Sequence, residues 1–190
     1  MGFSLYTWTI FLGVSLIFCS CDPAQPKYDS WLKTGGGNEN LKYSSLHQID
    51  TSNYDQLGVA WIYYSENKDS TKFGPMECNP IVVDGVMYGV SPKLKLFAIN
   101  AATGKELWTF NPADSVANKK WHRNSVNMNR GVAYWANGND KRIIYTVGPI
   151  VFCVNALTGN LVKSFGQEGG INLVNGLDRN PDKLFVAPTS

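Results

Sequence analysis

Leu96-Phe-Ala-Ile-Asn-Ala-Ala-Thr-Gly-Lys-Glu-Leu-Trp-Thr-Phe110 aligns without a gap with Val151-Phe-Cys-Val-Asn-Ala-Leu-Thr-Gly-Asn-Leu-Val-Lys-Ser-Phe165. Six of the fifteen positions are identical: Phe97/Phe152, Asn100/Asn155, Ala101/Ala156, Thr103/Thr158, Gly104/Gly159 and Phe110/Phe165. Each copy runs from an apolar, β-prone segment through an Asn-Ala-x-Thr-Gly turn into a second short strand, expected at residues 106–110 and 161–165. The Asn side chain can bond back to the turn backbone, and the Gly can take positive φ. An offset of 55 residues is what a four-stranded propeller blade with its loops requires. Trp108 offers a flat surface to wedge against a neighbouring blade, whereas Lys163 stands at the equivalent place and offers none.

Outward from the repeat, the pattern stays that of a sheet. Asp84-Gly85 within residues 80–90 is a hairpin signal, and Asn137-Gly138-Asn139-Asp140 separates expected strands at 130–136 and 142–147. Residues 59–64, Val-Ala-Trp-Ile-Tyr-Tyr, predict a strand, residues 166–181 are loop-rich, and residues 184–187 open another strand. The fold class is therefore all-β, with about two to three blades of a β-propeller. Such units cannot bury both faces alone, so residues 31–190 are expected to be the incomplete, N-terminal part of a longer propeller.

Composition agrees: 13% aromatic residues and 18 glycines among 190 suit short strands and tight turns. A net charge of +2 gives no electrostatic reason to expect nucleic acid. Residues 1–20 stand apart. Their apolar core at 9–18 is short for a bilayer and leads into Phe18-Cys19-Ser20-Cys21, which resembles a bacterial lipoprotein cleavage site. Cys21 would then be the lipidated first residue, and residues 21–30 a tether; a plain secretory signal or a short anchor are the alternatives. Multiple acyl chains, at about 0.8 kcal/mol per buried CH₂, hold a protein firmly to a membrane. Cys78 and Cys153 remain, and their apolar surroundings predict buried free thiols rather than a disulfide. His47 and His122 are isolated, and no Cys or His spacing suggests a metal.

Two charged residues stand just ahead of expected inner strands: Glu77 before the hairpin at Pro80, and Arg130 before Gly131-Val132-Ala133-Tyr134-Trp135. Thr189 holds a similar place ahead of a third unit. Equivalent blade ends meet at one mouth of a propeller channel. A guanidinium there can present paired donors to a carboxylate, so the set would suit a flat molecule carrying carboxylates and carbonyls. A mutual Glu77–Arg130 salt bridge that only joins two blades is the other reading, and spacing does not decide between them.

From Trp31 to Ser190 the chain resembles the quinoprotein dehydrogenases that use pyrroloquinoline quinone (PQQ), and is most similar to those described as quinoprotein glucose dehydrogenases. The resemblance is carried by Gly36-Gly37-Asn38, Tyr43-Ser44-Ser45-Leu46, Gln48-Ile49, Ala60-Trp61, Asn79-Pro80-Ile81-Val82-Val83-Asp84-Gly85, residues 98–108, Asn129 to Trp135, residues 156–159 and Phe165-Gly166. It implies an eight-bladed ring with PQQ and Ca²⁺ in its channel, and it places Glu77, Arg130 and Thr189 on cofactor-contacting positions. It further implies hydride removal from a sugar or alcohol carbon to the quinone, a Ca²⁺ Lewis acid and an aspartate base, with electrons passed to ubiquinone, menaquinone or another acceptor. The base and the Ca²⁺ ligands belong to later blades, so residues 22–190 alone are expected neither to oxidise glucose nor to hold the quinone tightly. Alcohol-oxidising relatives carry adjacent cysteines shortly before the arginine; Asn124-Ser125 stands there, which leans toward the sugar-oxidising branch. The implied location is the cell envelope, periplasm-facing or at the outer membrane, through the N-terminal lipid. A non-enzymatic, lipid-anchored propeller scaffold of the outer-membrane assembly type is the competing reading.

Overall fold

Asp84 and Gly85 both take positive φ, 51° and 75°, which is what a two-residue hairpin turn of the primed kind demands. They join β1 (Ile81–Val83) to β2 (Val86–Val90), paired antiparallel with Val83 opposite Val86. β3 (Leu96–Asn100) and β4 (Glu106–Phe110) complete a sheet in the order β1-β2-β3-β4. A second sheet repeats the plan with β5 (Ala133–Asn137), β6 (Asp140–Val147), β7 (Ile150–Asn155) and β8 (Gly170–Asn172). The computed structural model describes residues 30–65, 76–115, 129–180, 184 and 186, and among them there is no α-helix.

The sheets stack face to face. Ile81, Tyr88, Val90, Leu96 and Ala98 of the first meet Ile143, Tyr145, Val147, Ile150, Phe152 and Val154 of the second in one core, with Trp108 and Phe110 packed against it. Tyr145, Phe152, Ile81 and Leu96 are almost wholly buried, and each such side chain contributes about 1.5–3 kcal/mol relative to exposure. Phe110 meets Tyr145 and Phe152 edge-on, with centroids 6.3 and 5.8 Å apart. Successive strand residues alternate faces, so Phe97 turns the other way and packs on Tyr63, 5.1 Å between rings.

The turn chemistry is the same in both sheets. Asn100 Oδ1 accepts from the backbone N–H groups of Ala102 and Thr103 at 3.0 Å and from the Thr103 hydroxyl at 3.1 Å. Asn155 Oδ1 accepts from Leu157 N, Thr158 N and Thr158 Oγ1 at the same distances. Against each turn lies a tryptophan from the preceding unit. Trp108 Nε1 donates to the Ala156 carbonyl at 3.1 Å, and Trp61 Nε1 donates to the Ala101 carbonyl at 3.2 Å. A Cβ on Gly159 would lie 2.7 Å from Trp108, and one on Gly104 2.6 Å from Trp61, so only glycine admits the indole. The wedge expected of Trp108 is thus formed, and Trp61 makes an equivalent one.

Three expectations change. Residues 161–165 do not form an outer strand: Leu161 makes one bridge to Val154, the chain turns away, and β8 at Gly170–Asn172 fills the edge beside Ile150, Val151 and Phe152. Residues 59–64 form no ladder among the described residues; they dock through Trp61 and Tyr63, leaving Val59, Ile62 and Tyr64 exposed. The ladder of β5 begins at Ala133, not at Arg130, because Gly131 bridges to the neighbouring unit instead. Cys78 and Cys153 are free and buried, as their apolar surroundings predicted. The leader, the tether up to residue 29, Cys21, His122, Asn124-Ser125 and Thr189 lie outside the described residues, as do residues 185 and 187 of the strand expected at 184–187.

Candidate functional site

Glu77 enters the first sheet beside an anchored neighbour. Cys78 is buried, and its Sγ accepts the Val90 N–H at 3.2 Å. Burial pushes this thiol above its ordinary pKa, with only the Val90 hydrogen bond acting the other way, which keeps it a neutral packing group. With Cys78 inward, Glu77 and Asn79 on either side are exposed. Arg130 has the same setting in the second sheet: Asn129, Gly131 and Val132 are buried, and Arg130 between them is exposed.

The two segments meet. Asn79 and Gly131 form a parallel bridge, and the Arg130 carbonyl accepts from Asn79 N at 2.8 Å and from Asn79 Nδ2 at 3.2 Å. The residue carrying the guanidinium and the segment carrying the carboxylate are therefore held side by side across the blade boundary. Ion pairs among the described residues involve other side chains, Lys141 with Asp84 at 2.7 Å and Arg142 with Asp140 at 2.6 Å. Glu77 and Arg130 are not paired with each other, so the salt-bridge reading of these residues is not realised. Among the described residues, an exposed acid and an exposed guanidinium on adjacent segments leave both hydrogen-bonding edges available to a third molecule.

Lys141–Asp84 spans the same boundary and fastens the two hairpins. Its partner Asp84 is the chief reason Lys141 is held above its ordinary pKa. Among the described residues, no three His, Cys, Asp or Glu side chains stand together as a metal site. A cavity of about 300 Å³ lies at the outer rim between Phe110, Asp114, Ser115 and Asn160, apart from Glu77 and Arg130. Sequence reasoning missed Asn79 and Asn129 as supports of the site. Each sits next to a flagged residue or one removed from it, but nothing local shows that either side chain reaches across to other strands.

Stacked four-stranded sheets joined by a docked tryptophan are consecutive blades of a β-propeller, and the acid–guanidinium pair sits where their inner strands begin. The family model described as "PQQ: Glucose/ethanol/alcohol dehydrogenase, beta-propeller domain" matches residues 31–190, and the chain belongs to that family. It is 34% identical over 135 residues to the quinohemoprotein alcohol dehydrogenase ADH IIB of Pseudomonas putida, covering 70% of this chain and 18% of that protein. It is 31% identical over 166 residues to the glycerol dehydrogenase large subunit of Gluconobacter oxydans, covering 81% of this chain and 22% of the relative. The crystal structure of quinohemoprotein alcohol dehydrogenase from Comamonas testosteroni superposes with a TM-score of 0.60 at 26% identity, over 80% of this chain and 20% of that one. The chain thus spans about a fifth of the length of these relatives. The cofactors implied by the family, PQQ and with it Ca²⁺, agree with the sequence resemblance. The scaffold reading loses its support, since the matched domain is that of dehydrogenases.

Proposed function

We propose that the complete gene product containing this chain is a PQQ-dependent dehydrogenase that oxidises a CH–OH group, and that Glu77 and Arg130 hold the cofactor. The observation that carries this is the parallel contact at Asn79 and Gly131, which puts an exposed acid and an exposed guanidinium, not paired with each other, on adjacent segments. The residues fit the group. Arg130 offers a planar fork of donors to carboxylates, in the charge-assisted, two-point geometry that suits them. Glu77 accepts from a donor on the same molecule and disfavours any ligand presenting a second anion at that edge. Thr189 is proposed as a third contact on sequence grounds. When bound, PQQ with Ca²⁺ supplies hydride acceptance from the alcohol carbon. What this part of the chain contributes is orientation: an acid and a guanidinium carried on neighbouring backbone segments set how the planar molecule lies.

Substrate class rests on the relatives and one departure. Those described above are alcohol and glycerol dehydrogenases by name, which supports an alcohol or polyol. Asn124-Ser125, where alcohol-oxidising relatives carry adjacent cysteines, supports the sugar branch as a second reading. Electrons pass to a quinone or cytochrome acceptor. Lipid on Cys21 would place the protein at the cell envelope; labelled fatty acid should enter the wild-type product and be lost in Cys21→Ser, and label retained in that variant would refute the anchor.

The deciding measurement is a titration of the apo gene product with PQQ in Ca²⁺ buffer. Charge-assisted hydrogen bonds contribute about 1.5–3 kcal/mol, so Arg130→Gln should weaken PQQ roughly tenfold to a hundredfold and Glu77→Gln by less. Unchanged affinity in both variants would remove the site.

A further inference from the structure

Arg130 lies ahead of its own ladder, since the regular pairing of β5 starts at Ala133. Its backbone is nevertheless held from two directions, by two asparagine side chains. Asn129 is 5% exposed. Its Nδ2 donates to the Thr146 carbonyl in β6 at 3.0 Å, and its Oδ1 accepts the Gly131 N–H at 2.9 Å. That side chain therefore closes over the Arg130 peptide and ties it to its own blade. From the neighbouring blade, Asn79 donates both its backbone N–H and its Nδ2 to the Arg130 carbonyl. Asn79 is also two residues from Glu77, so the group that grips Arg130 belongs to the acid's own segment.

We infer that Asn79 and Asn129 are positioning residues: a two-sided clamp that fixes the Arg130 backbone relative to Glu77 before any ligand arrives. This rests on the proposed reading that Arg130 contacts PQQ. The physical gain is preorganisation. An arginine on an unladdered strand entry would lose backbone freedom on binding, and ordering it in advance removes that cost from the binding step. Asparagine suits both places because one side chain supplies a donor and an acceptor. Aspartate at 129 would keep the bond to Gly131 N–H but lose the donor to Thr146. Alanine at 79 would keep the backbone bond to Arg130 but lose the second.

The test is a double-mutant cycle on the complete apo gene product, with PQQ binding by fluorescence quenching and thermal unfolding without PQQ as separate readouts. Asn79→Ala, at an exposed side chain, should leave the melting temperature near wild type. It should still weaken PQQ by roughly three- to tenfold, the loss of one hydrogen bond. Asn129→Asp should weaken PQQ at least as much. In an Arg130→Gln background neither substitution should weaken binding further. A loss of equal size with and without Arg130, or no loss from Asn79→Ala in the wild-type background, would overturn the clamp while leaving the site standing. If Arg130→Gln alone leaves affinity unchanged, Arg130 is not a cofactor contact and the clamp's role in cofactor binding fails with it. Asn79→Ala decides the matter even if the buried Asn129 variant does not fold.

Discussion

In the first sheet the chain leaves the turn at 100–104 directly into β4, five residues long, whose Trp108 and Phe110 pack into the interface with the second sheet. In the second sheet it leaves the same turn into a single bridge at Leu161, wanders through 163–169, and returns to the edge only at Gly170–Asn172. The side-chain hydrogen bonds of the two turns match one for one. The segments that follow differ at each of the five positions before Phe110 and Phe165, and the largest change is Trp108 in one and Lys163 in the other. An indole at that place docks on the next turn and gives the strand a partner on its buried face. A lysine cannot be buried there unpaired without a large cost, and Lys163 is exposed. An Asn-x-x-Thr-Gly turn thus marks where a blade bends, and the strand that follows at once is the one whose Trp108 and Phe110 are packed.

The harshest way to break this comparison is Trp108→Ala. Removing an indole packed against the core and bonded to Ala156 should cost about 3 kcal/mol or more in denaturant unfolding. A cost below about 1 kcal/mol, the range of surface changes, would mean the wedge does not join the blades. Next in size are the paired substitutions Asn100→Ala and Asn155→Ala, each removing an acceptor of three hydrogen bonds. Each should cost roughly 1–2 kcal/mol. If the turns are equivalent the two values should agree, and a marked inequality would show that the strand after the turn contributes to it.

The smallest expected effect sharpens the boundary between the sheets through pH. Tyr88 donates to the Ala156 carbonyl at 3.2 Å, beside the Trp108 bond. Burial above all, helped by Tyr134 and Asp84, raises its phenol from 10.0 to about 12. A raised pKa in the folded state means the contribution is complete below pH 10 and is lost as pH climbs toward about 12, because the unfolded chain ionises first. Tyr88→Phe should lower stability at pH 8 yet flatten the alkaline decline; an unchanged slope in that variant would place the titrating group elsewhere.

How much was legible depended on distance along the chain. The Asp84-Gly85 hairpin, the Asn/Thr/Gly turns and the buried thiols could be read because their determinants lie within a few residues of one another. The Trp108 wedge was half legible: the indole announces a docking surface, but only the stacked sheets show Gly159 beneath it. The outer strand at 161–165 was misread because the repeat's spacing continues through a segment whose burial pattern no longer supports it. Residues 59–64 look like a strand by composition, yet among the described residues they join no ladder and dock through Trp61 and Tyr63 instead.

For the candidate site, the sequence by itself supplied residue types and approximate places: an acid at 77 and a guanidinium at 130, each ahead of an inner strand. Only tertiary structure decided that these segments run side by side, that the two charges do not neutralise each other, and that Asn79 and Asn129 grip the Arg130 peptide from opposite blades. The physical reason is that a turn is closed by hydrogen bonds reaching two or three residues. The contact between Asn79 and Arg130 spans 51 residues, and it exists only because two sheets, each folded by its own local rules, bury their faces against one another.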